Sequence, residues 1–364
     1  MKFKHIYFTV TNDLTYDQRM HRICTSLVNA GYAVTLVGRQ LKTSIVLQKK
    51  PYNQKRLRCF INKGVAFYAE YNLRLFFFLL TKKMDGVCAI DLDAILPCLF
   101  ASKLKGTTRI YDAHEFFTEL KEVRTRPRVH KFWTRVERFA VPKFADGYTV
   151  TQGLADEFRT RYGLQYNVIR NLPILLPIDE TIEREEFLVY QGAVNEGRGF
   201  EVLIPAMKTI PYKLVVCGDG NFMQQLKALI AENGVDEKVE LLGMMRPEDL
   251  RKIAQKAALG LGFAEKEGIN QYHALPNKFL DYMHAGLPQI AMAFPEYEKI
   301  NDSHPVAVLL NSLSVEGVAN VINETMQNKA LLKKMNENAL QGREIFCWQA
   351  EEKLLLQFYQ QVFS

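Results

Sequence analysis

The sequence has no apolar stretch long enough to cross a bilayer. Its longest candidate, residues 75–80, is flanked by Arg74, Lys82 and Lys83, whereas a membrane-spanning helix needs about 18 to 20 apolar residues. The first residues also lack the apolar core and the small-residue cleavage site of a secretory signal. We therefore expect a cytoplasmic protein that neither spans a membrane nor is exported.

Paired cysteine and histidine motifs are also lacking. The six cysteines form no CxxC pair and lie mostly in apolar runs, which predicts buried thiols in a reducing compartment. The seven histidines include no HExxH motif and no pair four residues apart, so a zinc site is not indicated. No GxGxxG follows the first apolar strand, where Thr11 and Asn12 stand instead; this argues against a nicotinamide dehydrogenase.

One acidic triplet resembles a metal-binding motif. Asp91 and Asp93 spell the D-x-D pattern that binds manganese in some glycosyltransferases, but they lie in an apolar strand-to-helix context. We interpret them as acceptor-side or structural residues and expect no metal requirement.

The composition is that of a soluble globular protein. Hydrophobic residues make up 48% and charged residues 24% of the 364 residues, and a chain of this length predicts two domains. Part of the net charge of +7 is concentrated in a basic cluster of Lys121, Arg124, Arg126, Arg128, Lys131, Arg135 and Arg138. This cluster fits either a solvated helix face or docking onto anionic lipid. No nucleic-acid recognition motif accompanies it.

Strand-like and helix-like segments alternate along the chain. Residues 4–10, 17–30 and 33–37 form a first β-α-β unit, which predicts a parallel sheet covered by helices. We expect an α/β protein of two doubly wound, Rossmann-like domains, the first over 1–172 and the second over 187–345, joined by a linker over 173–186. A helix over 346–364 is expected to pack back on the first domain, and the cleft between the domains is the expected site.

Two glycine turns in the second half are candidate phosphate sites. The first, residues 190–199, contains Gly192, Arg198 and Gly199, and the second contains Gly218 and Gly220. Glycines allow a ligand to approach the backbone, the helix start offers unpaired N–H groups, and Arg198 adds a bidentate donor. Each turn alone fits a plain turn as well.

A third motif covers residues 274–288. Proline near the helix start and glycine after its end fit capping preferences. Lys278 and Asp281 are three residues apart and share a helix face. The cation suits a diphosphate and the carboxylate suits ribose hydroxyls, although a surface ion pair fits equally.

These three motifs, in this order, resemble the carboxyl-terminal domain of family 4 glycosyltransferases of the GT-B architecture. Residues 192–199 match the family's G-x(5)-[KR]-G turn, residues 218–220 match its G-x-G turn, and residues 276–288 match its P-N-K-x-x-[ED]-Y-M-x-A-G-x-P pattern. In the first half, residues 111–115 resemble the family's YD-x-HE segment. The resemblance covers nearly the whole chain.

The resemblance implies roles for individual residues. Arg198 and Lys278 would contact the donor diphosphate, and His114 would position the donor sugar. Further donor contacts are implied for Gly192, Gly199, Gly218, Gly220, Leu275, Asn277 and Asp281. The acceptor side would include Asn12, Asp17, Arg19, Asp93 and Glu115, although helix capping explains Asp17 equally well.

The sequence departs from the family pattern at two positions. His273 stands where the family has the first of its two paired glutamates, and Ala193 replaces an arginine that often follows the first glycine. More of the diphosphate contact would therefore depend on Arg198 and Lys278.

The resemblance implies a reaction. A hexosyl group would pass with retention of configuration, and without a metal ion, from a UDP- or GDP-sugar to a glycan or lipid-linked acceptor of the cell surface. Two alternatives remain: a nucleotide-sugar epimerase on the same architecture, and an inactive nucleotide-sugar-binding partner protein.

Overall fold

The computed structural model describes residues 4–15, 17–179, 181–266 and 268–364. The chain forms two compact units: unit 1 contains Met1–Asn171 and Glu351–Ser364, and unit 2 contains Leu172–Ala350. Each unit is built on a parallel sheet, and the predicted α/β class with two doubly wound domains is confirmed.

Unit 1 contains a seven-stranded sheet in the order β3-β2-β1-β4-β5-β6-β7. Its strands are β1 (His5–Thr9), β2 (Ala33–Gln40), β3 (Asn53–Arg58), β4 (Gly86–Ile90), β5 (Thr108–Ala113), β6 (Asp146–Thr149) and β7 (Asn167–Val168). Its helices are α1 (Gln18–Asn29), α2 (Gly64–Leu80), α3 (Ile95–Lys105), α4 (Lys121–Arg124), α5 (Pro127–Ala140) and α6 (Gln152–Tyr162). The strand order reverses direction beside β1, so the carboxyl ends of β1 and β4 border a switch point.

Unit 2 contains a six-stranded sheet in the order β10-β9-β8-β11-β12-β13. Its strands are β8 (Glu185–Gln191), β9 (Lys213–Cys217), β10 (Val239–Gly243), β11 (Ala257–Gly262), β12 (Gln289–Met292) and β13 (Ala307–Leu310). Its helices are α7 (Phe200–Ala206), α8 (Met223–Asn233), α9 (Pro247–Lys256), α10 (Gly268–Tyr272), α11 (Asn277–His284), α12 (Pro295–Ser303), α13 (Val315–Gln327) and α14 (Lys329–Ile345). Here the switch point lies beside β8.

The final helix, α15 (Trp348–Phe363), begins in unit 2, and its residues from Glu351 onward belong to unit 1. Glu351 is almost fully buried and accepts hydrogen bonds from the Arg170 backbone N–H at 2.7 Å and from the Arg170 guanidinium at 2.8 Å. Near the end of the helix, Phe363 covers Gly86 of β4 so closely that a Cβ there would lie 2.6 Å from the ring. The helix is therefore an integral part of unit 1.

Two details differ from the sequence prediction. The linker expected over 173–186 ends earlier, because Glu185 and Glu186 already belong to β8 and Glu185 pairs with Ala257 of β11. Sheet pairing thus overrides the acidic composition that suggested a linker. The sequence interpretation also missed β3, an edge strand in which Leu57 is the one apolar residue among amide and basic side chains. Among the described residues, no helix is long and apolar enough to cross a membrane.

Candidate active-site residues in the two units

The two glycine turns of unit 2 pack directly against each other. Strands β8 and β9 are parallel neighbours, so their carboxyl ends, and the turns that follow them, meet at one edge of the sheet. Gly192 donates its N–H to the carbonyl of Cys217 at 2.9 Å. A Cβ at position 218 would lie 1.8 Å from the Gly192 carbonyl oxygen, and one at position 220 would lie 2.2 Å from the Val194 oxygen. Glycine is therefore required at both positions by backbone packing.

Asparagine side chains join the same turns. The amide oxygen of Asn195 accepts from the Asn221 N–H at 3.1 Å, and the amide oxygen of Asn221 accepts from the Glu196 N–H at 3.3 Å. This reciprocal pair holds the two turns as one surface. The rigidity of such a surface is what positions backbone dipoles toward a ligand.

Arg198 lies at the end of the first turn. The following residue, Gly199, has φ of 74° and precedes α7, and a Cβ there would lie 3.0 Å from Phe263. The Arg198 side chain is half-buried and forms no hydrogen bond or ion pair with any described residue. It is therefore a cation available at the glycine turns.

Lys278, in the first turn of α11, points its ammonium group at the same turns. The Nζ atom lies 3.6 Å from the centre of the Tyr190 ring, and the lysine chain is what a Cβ at Gly192 would meet, at 3.7 Å. Although part of the aliphatic chain reaches solvent, the nitrogen itself is buried and has no hydrogen-bond partner among the described residues. Burial, reinforced by the charge of Arg198, lowers the pKa of Lys278 well below its usual value.

The remaining predicted donor residues surround this lysine. Asp281 accepts a hydrogen bond from the Gln191 side chain at 2.9 Å, so Lys278 and Asp281 both contact the end of β8. Asn277 is the exposed first residue of α11, and Leu275 packs against the core of unit 2. Each of the four donor-side glycines that we predicted, 192, 199, 218 and 220, lies in one of the two turns.

His273 carries another unpartnered polar atom of unit 2. Its Nδ1 is buried and lacks a hydrogen bond with any described residue, and its ring packs edge-on against Tyr272 at 5.0 Å. A buried ring nitrogen without a partner is unusual in a native protein. His273 thus has a free hydrogen-bonding group at the position where the family pattern has glutamate.

In unit 1, an ion cluster forms at the carboxyl end of β5. Arg19 donates to Asp112 at 3.0 Å and to the Ile169 carbonyl at 3.0 Å. The His114 ring nitrogen Nε2 lies 3.2 Å from the second Asp112 oxygen, which is buried and has no other partner, and 3.1 Å from Arg19 Nε. A protonated His114 ring would donate its Nε2–H to that Asp112 oxygen. A neutral ring without a proton on Nε2 would instead accept a hydrogen bond from Arg19 Nε.

Asp91 approaches His114 from the neighbouring strand β4. One of its oxygens accepts the His114 backbone N–H at 2.9 Å and the other lies 3.5 Å from Nδ1. Asp91 adopts φ of 56°, a strained value for a residue with a side chain, consistent with a functional position. Although burial opposes it, the charges of Asp112 and Asp91 raise the pKa of His114 to about 9. The ring is therefore protonated at neutral pH.

Two further carboxyl groups near His114 titrate at neutral pH. Burial, together with the negative charge of Asp91, raises the pKa of Glu115 to about 7. Glu115 forms no hydrogen bond with any described residue. Burial also raises the pKa of Asp93 to about 7, but Asp93 accepts a hydrogen bond from the Thr11 hydroxyl at 2.5 Å. Perturbed acids in one cluster are typical of functional sites.

Asn12 and Asp17 have structural partners. Asp17 caps α1 by accepting the Met20 N–H at 3.0 Å, and Asn12 donates to Asp17 at 2.7 Å and accepts from Leu14. These contacts support the capping interpretation and leave the acceptor-side role a prediction. In the part of the chain that the structure describes, no three His, Cys, Asp or Glu residues come together as a group that could hold a metal ion.

Sequence reasoning gave no site role to Asp112, Tyr190 or Gln191, which the structure brings into these clusters, and it considered Asp91 only within the acidic triplet. Asp112 lay within the YD-x-HE segment and Asp91 within the D-x-D triplet, so both had a sequence signal. Tyr190 and Gln191 had none beyond their place before Gly192, because their contacts with α11 depend on tertiary packing.

Two parallel-sheet Rossmann-like units, one carrying paired glycine turns and free cations, define the architecture of the GT-B glycosyltransferases. Solved structures share this fold over nearly their whole length. Sucrose-phosphate synthase from Thermosynechococcus elongatus superposes with a TM-score of 0.79 at 14% identity, covering 99% of each chain. Anabaena Alr3699/HepE in complex with UDP-glucose gives 0.72 at 12% identity, covering 98% of this chain and 99% of that one. At such identities the likeness shows the fold alone.

Residues 177–342 match the family model "Glycosyl transferases group 1". A curated relative, chitobiosyldiphosphodolichol beta-mannosyltransferase of Candida albicans, is 27% identical over 177 residues. The alignment covers 45% of this chain and 37% of that relative. Residues 177–342, in unit 2, thus resemble the group 1 glycosyl transferases, and the resemblance of the chain to family 4 GT-B enzymes is confirmed.

Proposed function

We propose that this protein transfers a hexosyl group, with retention of configuration, from a UDP- or GDP-sugar to a glycan or lipid-linked acceptor of the cell surface. The observation that carries the proposal is the buried, unpartnered ammonium of Lys278 at the glycine turns of unit 2. A buried amino group without a partner is costly, and an anionic ligand would offset that cost by supplying a counter-charge and hydrogen-bond acceptors.

The surroundings of Lys278 favour a diphosphate as that ligand. Arg198 supplies a second cation and a planar fork of donors, and the two glycine turns leave their backbone open on one side. As the glycosidic bond lengthens, negative charge collects on the leaving diphosphate, and fixed cations stabilise it. In this proposal Lys278 and Arg198 perform the task that a divalent cation performs elsewhere, so the reaction is metal-independent.

The names of similar proteins support the substrate classes. The HepE structure contains UDP-glucose, and the Candida relative is named for mannosyl transfer involving a diphosphodolichol compound. Both fit a nucleotide-sugar donor, and the second fits a lipid-linked acceptor. His114, in unit 1, is the group that we assign to the donor sugar, and Asp281 is assigned to the nucleoside.

A thermal-shift panel tests the donor proposal. We expect UDP or GDP, at about 100 times its dissociation constant, to stabilise the protein by about 2.7 kcal/mol, which corresponds to a rise in Tm of roughly 5 to 10 °C. The measurement is repeated with ADP and inorganic phosphate as controls and with excess EDTA. If no nucleoside diphosphate raises the Tm, the proposed donor site is wrong.

Turnover assays separate the rival functions. A transferase consumes the sugar nucleotide only when an acceptor is present, whereas an epimerase consumes it without one. Binding without consumption, across a broad panel of donors and acceptors, would identify the inactive partner protein.

One observation favours a second candidate function, the same transfer with inversion. Inversion requires a general base for the acceptor hydroxyl, and Glu115 is a carboxyl group with a pKa of about 7 and no hydrogen bond to any described residue. Such a pKa suits a base near neutral pH. The Candida relative is, moreover, named a β-transferase, and a β-product from an α-linked donor requires inversion.

Product stereochemistry decides between the two. We expect proton NMR of the product from an α-linked donor to give an α-linkage, and Glu115→Gln to lower kcat less than about tenfold, because a retaining reaction needs no base at that position. If the product is β-linked and kcat of Glu115→Gln falls about a hundredfold or more, the reaction proceeds with inversion and the proposal of retention is wrong.

A further inference from the structure

The outward sides of three neighbouring helices in unit 1 combine exposed apolar side chains with cations. Helix α3 packs against both α2 and α5, and buried residues of all three belong to one core cluster. Their exposed apolar residues are Val65, Leu73 and Phe77 on α2, Phe100 and Leu104 on α3, and Phe132 and Phe139 on α5. We call these residues and the exposed cations between them the basic aromatic face.

Helix α5 contributes a continuous stripe to this face. Its exposed residues follow helical spacing, so that cations and rings lie on one side: Arg128, Lys131, Phe132, Arg135, Arg138 and Phe139. The one acidic residue of α5, Glu137, is 4% exposed and is held inside by the hydroxyl groups of Thr118 and Tyr162. The outward stripe of α5 therefore carries positive charge without a compensating acid on the same helix.

The stripe continues onto α3. The Phe100 and Phe139 rings lie 6.3 Å apart, and beyond them Leu104 is 70% exposed beside the exposed Lys103. On α2, the next helix, Phe77 is 57% exposed. By contrast, among the described residues, α1 and α6 of the same unit have no large hydrophobic side chain exposed. The other large apolar side chains exposed in unit 1 are Ile45, Val46, Phe60 and Ile61, in the segments that flank β3, and Leu354 on α15. Exposed apolar groups that adjoin one another on neighbouring helices mark a contact surface.

Charge and side-chain type together identify the partner. Aromatic and leucine side chains surrounded by Lys and Arg are the composition of a surface that lies in the headgroup region of a bilayer, with apolar groups among the acyl chains and cations on anionic lipid. Single-stranded nucleic acid also binds cations and aromatic rings. Aliphatic Leu73 and Leu104 cannot stack on bases as rings do, and they favour lipid.

We propose that the basic aromatic face docks this protein onto a bilayer containing anionic lipid. The proposal is independent of the donor site in unit 2, since none of its residues belongs to that unit. Contact with lipid would bring unit 1, which we assign to the acceptor, to the surface where a lipid-linked acceptor resides.

Vesicle flotation tests whether the cations of the basic aromatic face bind anionic lipid. We expect the protein to float with phosphatidylcholine vesicles that contain phosphatidylglycerol, to remain in solution with phosphatidylcholine alone, and to be released by high salt. The triple variant Lys131→Gln, Arg135→Gln, Arg138→Gln is expected to bind about a hundredfold more weakly, since each cation near an anionic surface contributes roughly fivefold. The control, Lys227→Gln, Lys333→Gln, Lys334→Gln, removes the same charge from exposed sites in unit 2 and is expected to bind like the wild type.

Fluorescence tests the apolar contact. Tryptophan in Phe132→Trp is expected to shift its emission to shorter wavelength when anionic vesicles are added, whereas tryptophan in Met244→Trp, at a 78% exposed site in unit 2, is not. Thermal melting of each variant checks that it folds.

Three results would overturn the proposal. Equal binding by the two triple variants would show that overall charge, not this face, governs adsorption. An emission shift at position 244 but not at 132 would assign insertion to another surface. The third result is that the wild type binds single-stranded nucleic acid tightly but does not bind vesicles, and that the variant with Lys131, Arg135 and Arg138 replaced loses the nucleic-acid binding. This result would assign the face to nucleic acid.

Discussion

Replacing Lys278 by methionine is expected to stabilise the ligand-free protein while nearly abolishing its activity. In the ligand-free state the Lys278 nitrogen is buried, its favourable contact among the described residues is the Tyr190 ring, and burial lowers its pKa well below the usual value. An unpaired buried polar group costs about 1 to 3 kcal/mol, and a cation over a ring recovers roughly 0.5 to 2 kcal/mol. Methionine fills a similar volume without the charge, so the difference between the mid-range values gives an expected gain of about 1 kcal/mol.

The same substitution removes a donor from the leaving diphosphate. Loss of one preorganised donor in a low-dielectric site typically lowers kcat by about a hundredfold to a thousandfold. We therefore expect kcat/KM to fall at least about a hundredfold, and nucleoside diphosphate affinity, measured by calorimetry, to fall about tenfold or more.

Lys227→Met is the matched control. Lys227 is an exposed lysine of α8 in the same unit, and its replacement is expected to leave kcat/KM and nucleotide affinity within about twofold, as surface substitutions usually do. Wild-type nucleotide affinity in Lys278→Met would contradict the proposed diphosphate site, whatever happens to stability.

The second large effect concerns the charge on His114. The raised pKa of about 9 means that the ring carries its proton between Asp91 and Asp112 at neutral pH. We expect kcat/KM to fall as the pH rises through about 9, the pKa of His114. His114→Gln is expected to lower kcat about tenfold to a hundredfold and to remove the fall near pH 9, because glutamine does not titrate.

The free energy of unfolding should also depend on the protonation of His114. The folded-state pKa of His114 lies above the unfolded value of 6.5, so its stabilising contribution is fully present below about pH 6.5 and is lost as the pH rises through about 9. The free energy of unfolding, measured with denaturant between pH 7 and 10, is expected to decline more steeply in the wild type than in His114→Gln.

Asp91→Asn distinguishes charge from shape at this cluster. Asparagine can still accept the His114 backbone N–H but removes one of the two negative charges that raise the pKa of the ring. The fall in kcat/KM is therefore expected to move toward lower pH in this variant. A pH profile identical to that of the wild type would show that Asp91 does not set the charge of His114.

The glycine turns of unit 2 and the helix that carries Lys278 were readable in the sequence. Gly192, Gly218 and Lys278 lie in short motifs whose local geometry, a strand followed by a glycine turn or a capped helix, is encoded by neighbouring residues. The fold class followed from the alternation of strand and helix patterns, and it is confirmed. Edge strand β3 was missed because a single apolar residue, Leu57, among amide and basic side chains gives no alternating apolar signal.

The acceptor-side predictions were less complete. The sequence drew attention to Arg19, His114 and the Asp91 triplet separately, but nothing in it indicated that Arg19 and His114 share Asp112. Asp17 turned out to cap α1, the alternative that its position allowed from the start.

The sequence by itself determined the two doubly wound units and the positions of the glycine turns, because periodicity and turn chemistry act between residues close along the chain. Only the tertiary structure decided which charges have partners. It brings Asp91 and His114, which follow neighbouring strands, into contact and turns Glu137 inward from a basic helix. It leaves the Lys278 nitrogen without a hydrogen-bond partner among the described residues. These outcomes depend on which strands and helices become neighbours, and the free energy of a charge is fixed by that neighbourhood rather than by the residue type.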